Sequence, residues 1–308
     1  MRGLIVSKSL LDFFVEPGTE GTVYNTFSRS CNMRFGNNLI GIVSEDIGVN
    51  PFSIVISGDE FFSWKNRIQR GMKVVFYSDE IRIGSELCLD LRTSSVWDPS
   101  FLLELGKENT DRSVNILTNL FSSLEGTRPV LDITQEYFQK GFLYQLVEDP
   151  YCEPFVRILC VLFEKEEFSE PSFEDAICGL IGFGKGLTPS GDDFLSGLVG
   201  ILNIADKRAY LSHDLVSVLS KLNRCLEDSI QSNKTTLISN MLLQSALNGW
   251  FSEKVSNFLL ALLEQKNDIR SHLDEVLSIG HHSGSDILAG IYTGFQLLNK
   301  RNTLCQIQ

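Results

Sequence analysis

The stretch GLIGFGKGLTPSGDDFLSGLVGILNIA, residues 179–205, decides how this chain is read. Glycines 182, 184 and 186 punctuate a turn, and a polar knot follows from Thr188 to Asp193. The apolar run Phe194–Ile204 then predicts a helix. About ninety residues later the pattern returns. Ser190-Gly191-Asp192-Asp193-Phe194-Leu195-Ser196-Gly197 aligns with Ser283-Gly284-Ser285-Asp286-Ile287-Leu288-Ala289-Gly290, keeping Ser, Gly, Asp, Leu and Gly at the same offsets.

Both copies have the Ser-x-x-Asp spacing of a capping box. The serine oxygen accepts from the N–H three residues on, and the acid reaches back to the serine N–H while facing the positive helix end. Capping does not account for Gly191 and Gly284, since glycine costs roughly 1 kcal/mol against alanine inside a helix. A missing side chain there implies close approach of something to the backbone. Ser196, Gly197 and Gly200 lie along one face of the first helix, and Ala289, Gly290 and Gly294 along one face of the second. These faces predict close helix–helix packing. If they meet about a pseudo-twofold axis, two helix N-termini converge on one small site.

Working outward, residues 20–92 read as strands: Val23–Phe27, Asn32–Phe35, Leu39–Ser44, Ser53–Ser57, Lys73–Tyr77, Glu80–Ile83 and Leu87–Leu91. Gly36-Asn37-Asn38 and Ser78-Asp79 are hairpin-turn signals, and Asp59–Arg70 reads as a short helix. Trp97-Asp98-Pro99 breaks the pattern. Beyond it the period is helical over Asp111–Leu124, Ile133–Val147, a third helix through Pro154 to Glu164, and Phe173–Leu180 capped by Ser172. Phe168 to Ser172 reads as a loop. After the central motif come Ser212–Ser232, Thr235–Asn248, Ser252–Gln265, Ser271–Ile279 and Ser283–Asn299. The expected fold is α+β: a small β barrel or sandwich over residues 1–100, then a mainly α-helical domain over 101–308 that carries both motifs.

Composition narrows the function. The chain has 308 residues, 43% of them hydrophobic, with a net charge of −12. Residues 1–100 carry 10 basic and 12 acidic side chains, and the remainder 17 and 27. This balance opposes nucleic acid and anionic membrane as partners. Seven cysteines without a CxxC pair read as reduced thiols of a cytoplasmic protein. No apolar run reaches the roughly 18 residues of a membrane span, and the N-terminus lacks the apolar core of a signal peptide.

The glycine turn is neither a dinucleotide fingerprint nor a P-loop. Position 187 is Leu where a third glycine belongs, and Lys185 is followed by Gly186 instead of Ser or Thr. Asn233-Lys234-Thr235-Thr236, with Ser239, opens a helix: Thr235 serves as its cap, and the surplus hydroxyls suit a polar pocket. His281-His282 precedes the second cap. HExxH spacing is absent, so one histidine is a general acid–base candidate and the other faces solvent, with a structural role equally open.

GKGLTPSGDDFLSG, with the later TTLIS and GHHSGSDILAG, resembles the family of the smaller subunit of oxamate carbamoyltransferase from allantoin breakdown. The resemblance extends to the β-rich front and its WDP boundary. It implies carbamoyl transfer between oxalurate or oxamate and carbamoyl phosphate, in a cytoplasmic complex with two larger partner subunits. It also implies that the chain is not active alone. The residues it carries over are Gly186 to Asp193, Thr235, Thr236, Ser239 and Gly280 to Asp286. The family often has Thr at the position of His282, which leaves His281 as the histidine candidate.

Such chemistry needs an anion cradle, donors on the carbamoyl oxygen and a base near the attacking amide. Lys185, Gly186, Thr188, Ser190, Gly191, Thr235, Thr236, Ser239, Ser283 and Gly284 are the binding candidates, with Asp193 and Asp286 as capping acids. Asp192, expected to face the ligand, is the catalytic candidate beside His281. Clustered aspartates would repel a phosphate but suit an amide-acid. They could also hold Mg²⁺, although no cofactor is required. The alternatives are a non-catalytic scaffold subunit, whose motifs only cap and pack helices, and a separate enzyme or sensor for a related small acid.

Overall fold

The structure is a computed structural model that describes residues 1–13, 18–77, 79–100, 110–124, 126–140, 149–164, 170–209 and 211–305. It divides into two compact units, residues 1–101 with 250–256, and residues 102–249 with 257–308. The expected turn residue Ser78, the far end of the helix placed on Ile133–Val147, and Phe168-Ser169 lie outside the described residues.

The first unit holds β1 (Ile5–Ser7), α1 (Lys8–Phe13), β2 (Thr19–Thr26), β3 (Ser30–Phe35), β4 (Asn38–Ser44), β5 (Ser53–Ile56), α2 (Gly58–Lys65), β6 (Lys73–Phe76), β7 (Glu80–Ile83), β8 (Leu87–Asp90) and β9 (Ser95–Trp97). The strands form one curled sheet, a half-barrel, in the order β8-β7-β6-β2-β3-β4-β5-β1-β9. Most pairs are antiparallel, while β4–β5 and β1–β9 are parallel. Alternation builds the core: β3 buries Cys31, Met33 and Phe35 and turns the residues between them outward. β5 is buried at every position because it lies between β4 and β1.

The barrel-or-sandwich expectation resolves to a single curled layer. Residues ahead of β1 draw its far end in: Asp90 donates to the Met1 carbonyl and accepts from the Gly3 N–H, both at 2.8 Å. The strand readings missed β1 and β9, which have three residues each and too few alternations to register. Asp59–Arg70 is shortened to α2, capped by Ser57, whose hydroxyl accepts from the Glu60 N–H. The segment 250–256 also joins this unit: Glu253 Oε2 accepts from the Val49 N–H, and Trp250 packs on Phe52.

The second unit is helical, with α3 (Thr110–Ser122), α4 (Pro129–Lys140), α5 (Glu153–Phe163), α6 (Glu170–Leu180), α7 (Ser190–Lys207), α8 (His213–Ser232) and α9 (Leu237–Leu247). After α10 (Glu253–Glu264), which begins within the 250–256 segment, come α11 (Ile269–Leu277) and α12 (Ser283–Cys305). α6 starts at Glu170, so position 172 lies inside the helix and not at its start. Thr235 does not cap α9 either. Thr236 does, accepting from the Ser239 N–H.

α7 and α12 are the centre of this unit. Phe194, Leu195, Leu198, Val199 and Leu202 on the first, with Leu288, Ala289, Ile291 and Tyr292 on the second, are buried. Their contact is reciprocal. A Cβ on Gly197 would sit 2.1 Å from the Ile287 carbonyl oxygen, and a Cβ on Gly290 would sit 2.0 Å from that of Phe194. Ile287 and Phe194 are equivalent positions of the two repeats, so the helices cross about a pseudo-twofold axis at the two glycines. Around this pair pack α3, α4, α5, α8, α9 and α11. Among the described residues, no helix is long and apolar enough to cross a membrane.

Candidate functional site

Each repeat is a helix, a turn and a central helix: α6 into α7, and α11 into α12. The turns put Gly191 and Gly284 against the ends of the preceding helices. A Cβ on either would lie 2.0 Å from a carbonyl oxygen, that of Leu180 or that of Val276. This explains the glycines the capping boxes left over, and it corrects the expectation that their N–H groups face a ligand. The Gly191 N–H donates to the Phe183 carbonyl at 2.9 Å and the Gly284 N–H to that of Ile279 at 3.1 Å.

The first turn is held open by positive-φ glycines. Gly184, at φ +117°, could not carry a side chain, because its Cβ would lie 2.7 Å from the Ser190 nitrogen. Asp192 fastens this turn. Its Oδ1 accepts from the Gly182 N–H at 2.8 Å and its Oδ2 from the Thr235 hydroxyl at 2.5 Å. Ser239 lies beside it, and Thr236 donates to the Leu187 carbonyl at 2.5 Å. Burial pushes the Asp192 carboxyl up, while Thr235, the Gly182 N–H and Ser239 pull it back. Both its oxygens are therefore engaged within the chain, contrary to the expectation that Asp192 is the aspartate free for a ligand. Thr235, Thr236 and Ser239 brace the turn.

The two motif loops meet. Thr188 Oγ1 and Ser283 Oγ are 2.9 Å apart, a bond that joins the start of α12 to the turn before α7. Capping is not local as the spacing predicts, for α7 has Pro189 as its N-cap and no side-chain cap bond. The serines and acids are instead exchanged between repeats: Ser283 faces the Asp193 carboxyl and Ser190 faces that of Asp286. Tyr151 donates to Ser190 at 3.2 Å, so a chain of hydroxyls runs from Tyr151 through Ser190 toward Asp286.

Asp193 and Asp286 are each 1% exposed. Neither Asp193 oxygen has a well-formed hydrogen bond, nor does Asp286 Oδ2. Ser283 and Thr188 are close enough to favour the Asp193 anion but are not aligned to donate well. Burial dominates and pushes Asp193 up to about 8, with the neighbouring Asp286 and Asp192 adding to the rise. Burial likewise raises Asp286, to about 6, against the pull of Ser190 and Ser285. Burial thus favours the neutral form of both acids, more strongly for Asp193, and ionising either one opposes ionising the other. The second repeat has Ser285 where the first has Asp192, and its hydroxyl donates to the His282 carbonyl at 2.7 Å. Only the first repeat has a carboxylate brace on its longer turn.

Thr188, Ser190 and Ser283, which face the two buried carboxyls, are half-buried. Lys185, Gly186 and His281, in the turns ahead of α7 and α12, are exposed. The His281 ring packs on His282, their centroids 4.2 Å apart, and makes no contact that aims it at the carboxyl pair. Tyr151 is the residue that sequence reasoning missed. It follows Pro150 ahead of α5 and packs on Phe155 and Phe183, and no spacing connects it to either motif. Among the described residues, no group of three or more His, Cys, Asp or Glu side chains is placed to hold a metal ion.

Comparison with known proteins covers both units. Residues 180–295 match the family described as oxamate carbamoyltransferase subunit AllH, and residues 2–96 match the AllH family N-terminal domain. No solved structure gives a significant match. The first match spans both motif turns, α7, α12 as far as Phe295 and the Thr235-Thr236 brace, the second nearly all of the curled sheet, and the chain belongs to the AllH family of oxamate carbamoyltransferase subunits.

Proposed function

We propose that this chain contributes a small amide-acid or anion site to a cytoplasmic oxamate carbamoyltransferase complex with two larger partner subunits. The reaction converts oxalurate and phosphate into oxamate and carbamoyl phosphate, in the course of allantoin breakdown. The observation that carries this reading is the junction of the two motif loops at Thr188 and Ser283, which places three hydroxyls over two buried carboxyls. Both helix starts meet there, but the glycine N–H groups are already used, so the donors offered to a ligand are Thr188, Ser190 and Ser283. Tyr151 orients Ser190, while Asp192, Thr235 and Thr236 keep the turn in shape. Lys185, exposed on the turn ahead of Thr188, is the candidate to supply a positive charge to an anionic ligand. In this reading Asp192 is a positioning residue, and the acid–base capacity lies with Asp193 and Asp286.

The test is reconstitution. The chain co-purified with its partners is assayed for carbamoyl transfer from carbamoyl phosphate to oxamate, next to Ser190→Ala and Ser283→Ala. Variants that assemble normally but lose most turnover support the reading. Full turnover in both reduces the motifs to packing devices, and the chain to a scaffold subunit.

A further inference from the structure

We propose that the Thr188, Ser190 and Ser283 cluster is a proton-coupled oxyanion site, in which Asp286 takes up one proton from solvent as a carboxylate or phosphate oxygen binds. The inference rests on the site proposed above and adds a regulation to it.

A serine hydroxyl has one proton and can donate it once. Ser190 accepts from Tyr151 and lies against Asp286, so while Asp286 is ionised the Ser190 proton is drawn inward. An anion arriving on the outer side asks for that same proton. If Ser190 turns outward, Asp286 has beside it only Ser285 at 3.4 Å, whose proton is already drawn to the His282 carbonyl at 2.7 Å, and it faces a second negative charge. A carboxylate so placed takes a proton and can return a hydrogen bond to the Ser190 oxygen. Asp193 shows that the surroundings tolerate the neutral acid. It is 1% exposed, both its oxygens lack a well-formed partner, and it faces Ser283 and Thr188. An unpartnered buried carboxyl behind hydroxyls is a poor stabilising device, but it suits a site in which charge is exchanged with a ligand.

The groups acting on the pair are few. Asp192 lies on the same helix as Asp193, Asp286 faces Asp193 from α12, and Tyr151 approaches Asp286 from the segment ahead of α5. α9 has no titratable side chain. Among the described residues, α3, α4, α5, α6, α8 and α11 bring no ion-pair partner to either carboxyl, nor do Lys185, His281 and His282 in the turns. With no fixed cation to hold both acids ionised, their proton count is left to respond to the ligand. Burial, offset in part by Ser190 and Ser285, raises Asp286 only to about 6, the smaller of the two shifts, so it is the acid of the pair with a proton to gain on binding.

The experiment is calorimetric titration of the full-length chain with oxamate and, separately, with inorganic phosphate. It is run at pH 7 in buffers of different ionisation enthalpy, and repeated at pH 6 and 8. The expected result is an uptake of about 0.5–1 proton per ligand, with affinity falling up to about tenfold per pH unit above pH 7. Asp286→Asn should bind oxamate with no uptake and with little dependence on pH, and should lower the uptake on phosphate to that of phosphate's own ionisation; Ser190→Ala should lose binding. The wild-type proton count decides even where a variant fails to fold. Saturable binding that Ser190→Ala removes, with no proton taken up by the wild type, overturns the coupling and leaves the site. Binding that survives both Ser190→Ala and Ser283→Ala, or no saturable binding by the wild type at pH 6, overturns the site and the coupling together.

Discussion

Asp192 and Asp193 are neighbours in sequence with opposite surroundings. Asp192 is buried with both oxygens hydrogen-bonded, and Asp193 is buried with neither. Asp192→Ala leaves the Gly182 N–H and the Thr235 hydroxyl without their acceptor, and is expected to cost about 2–4 kcal/mol in urea unfolding. Asp193→Asn should act through pH. The unfolded carboxyl titrates near 3.8 and the folded one near 8, so between these values the folded chain keeps a proton that the unfolded chain has lost. Stability contributed by Asp193 is therefore present in acid, falls as pH rises through this window, and is gone above about 8. Asp193→Asn should shrink the difference in unfolding free energy between pH 5 and pH 8 by about 3 kcal/mol. An unchanged pH profile would show that Asp193 is ionised in the folded chain. None of this was legible in the string Gly-Asp-Asp, because each environment is made by residues far along the chain.

Among the elements, the crossing of α7 and α12 is the part of the fold that the sequence foretold best. Small residues at matched offsets predicted two close faces, and the close approach falls at Gly197 and Gly290. Gly197→Ala and Gly290→Ala place a methyl group against the partner helix's backbone, which has no rotamer to yield. Each should cost at least about 3 kcal/mol, the upper end of overpacking penalties. Gly294→Ala meets the Ile201 side chain at 3.1 Å, which can shift, and should cost less than about 1.5 kcal/mol. Equal losses at all three positions would mean that helix propensity, and not the crossing, is being measured. Helix starts were read less well, because neighbouring hydroxyls offer equivalent local choices. Thr235 and Thr236 both suit a cap, and the choice falls on Thr236 because Asp192 takes Thr235.

For the molecule as a whole, membership of a carbamoyltransferase subunit family makes isolation the informative experiment. The purified chain should show no carbamoyl transfer by itself and should gain it on mixing with its partner subunits, followed by release of phosphate from carbamoyl phosphate in the presence of oxamate. Turnover by the chain alone would overturn the complex. Over residues 1–100, alternation of apolar residues was enough to show most strands, since one face of each must be buried. It did not show how they close. That follows from pairing between the Met1–Gly3 segment and Asp90, residues almost a full unit apart in sequence.

The sequence by itself determined the mainly β front, the helical remainder, the repeat and the faces that bring its two central helices together. These are properties of short periods and of missing side chains, which act on whatever lies nearest. The tertiary structure alone decided the exchange of partners, with Ser190 facing Asp286 and Ser283 facing Asp193, and the arrival of Tyr151 beside Ser190. A Ser-x-x-Asp spacing can be satisfied within its own helix or by a symmetry-related copy. The glycines tip that choice: without a Cβ at 197 and 290 the helix starts come within reach of each other, and each serine can turn to the carboxyl of the other repeat.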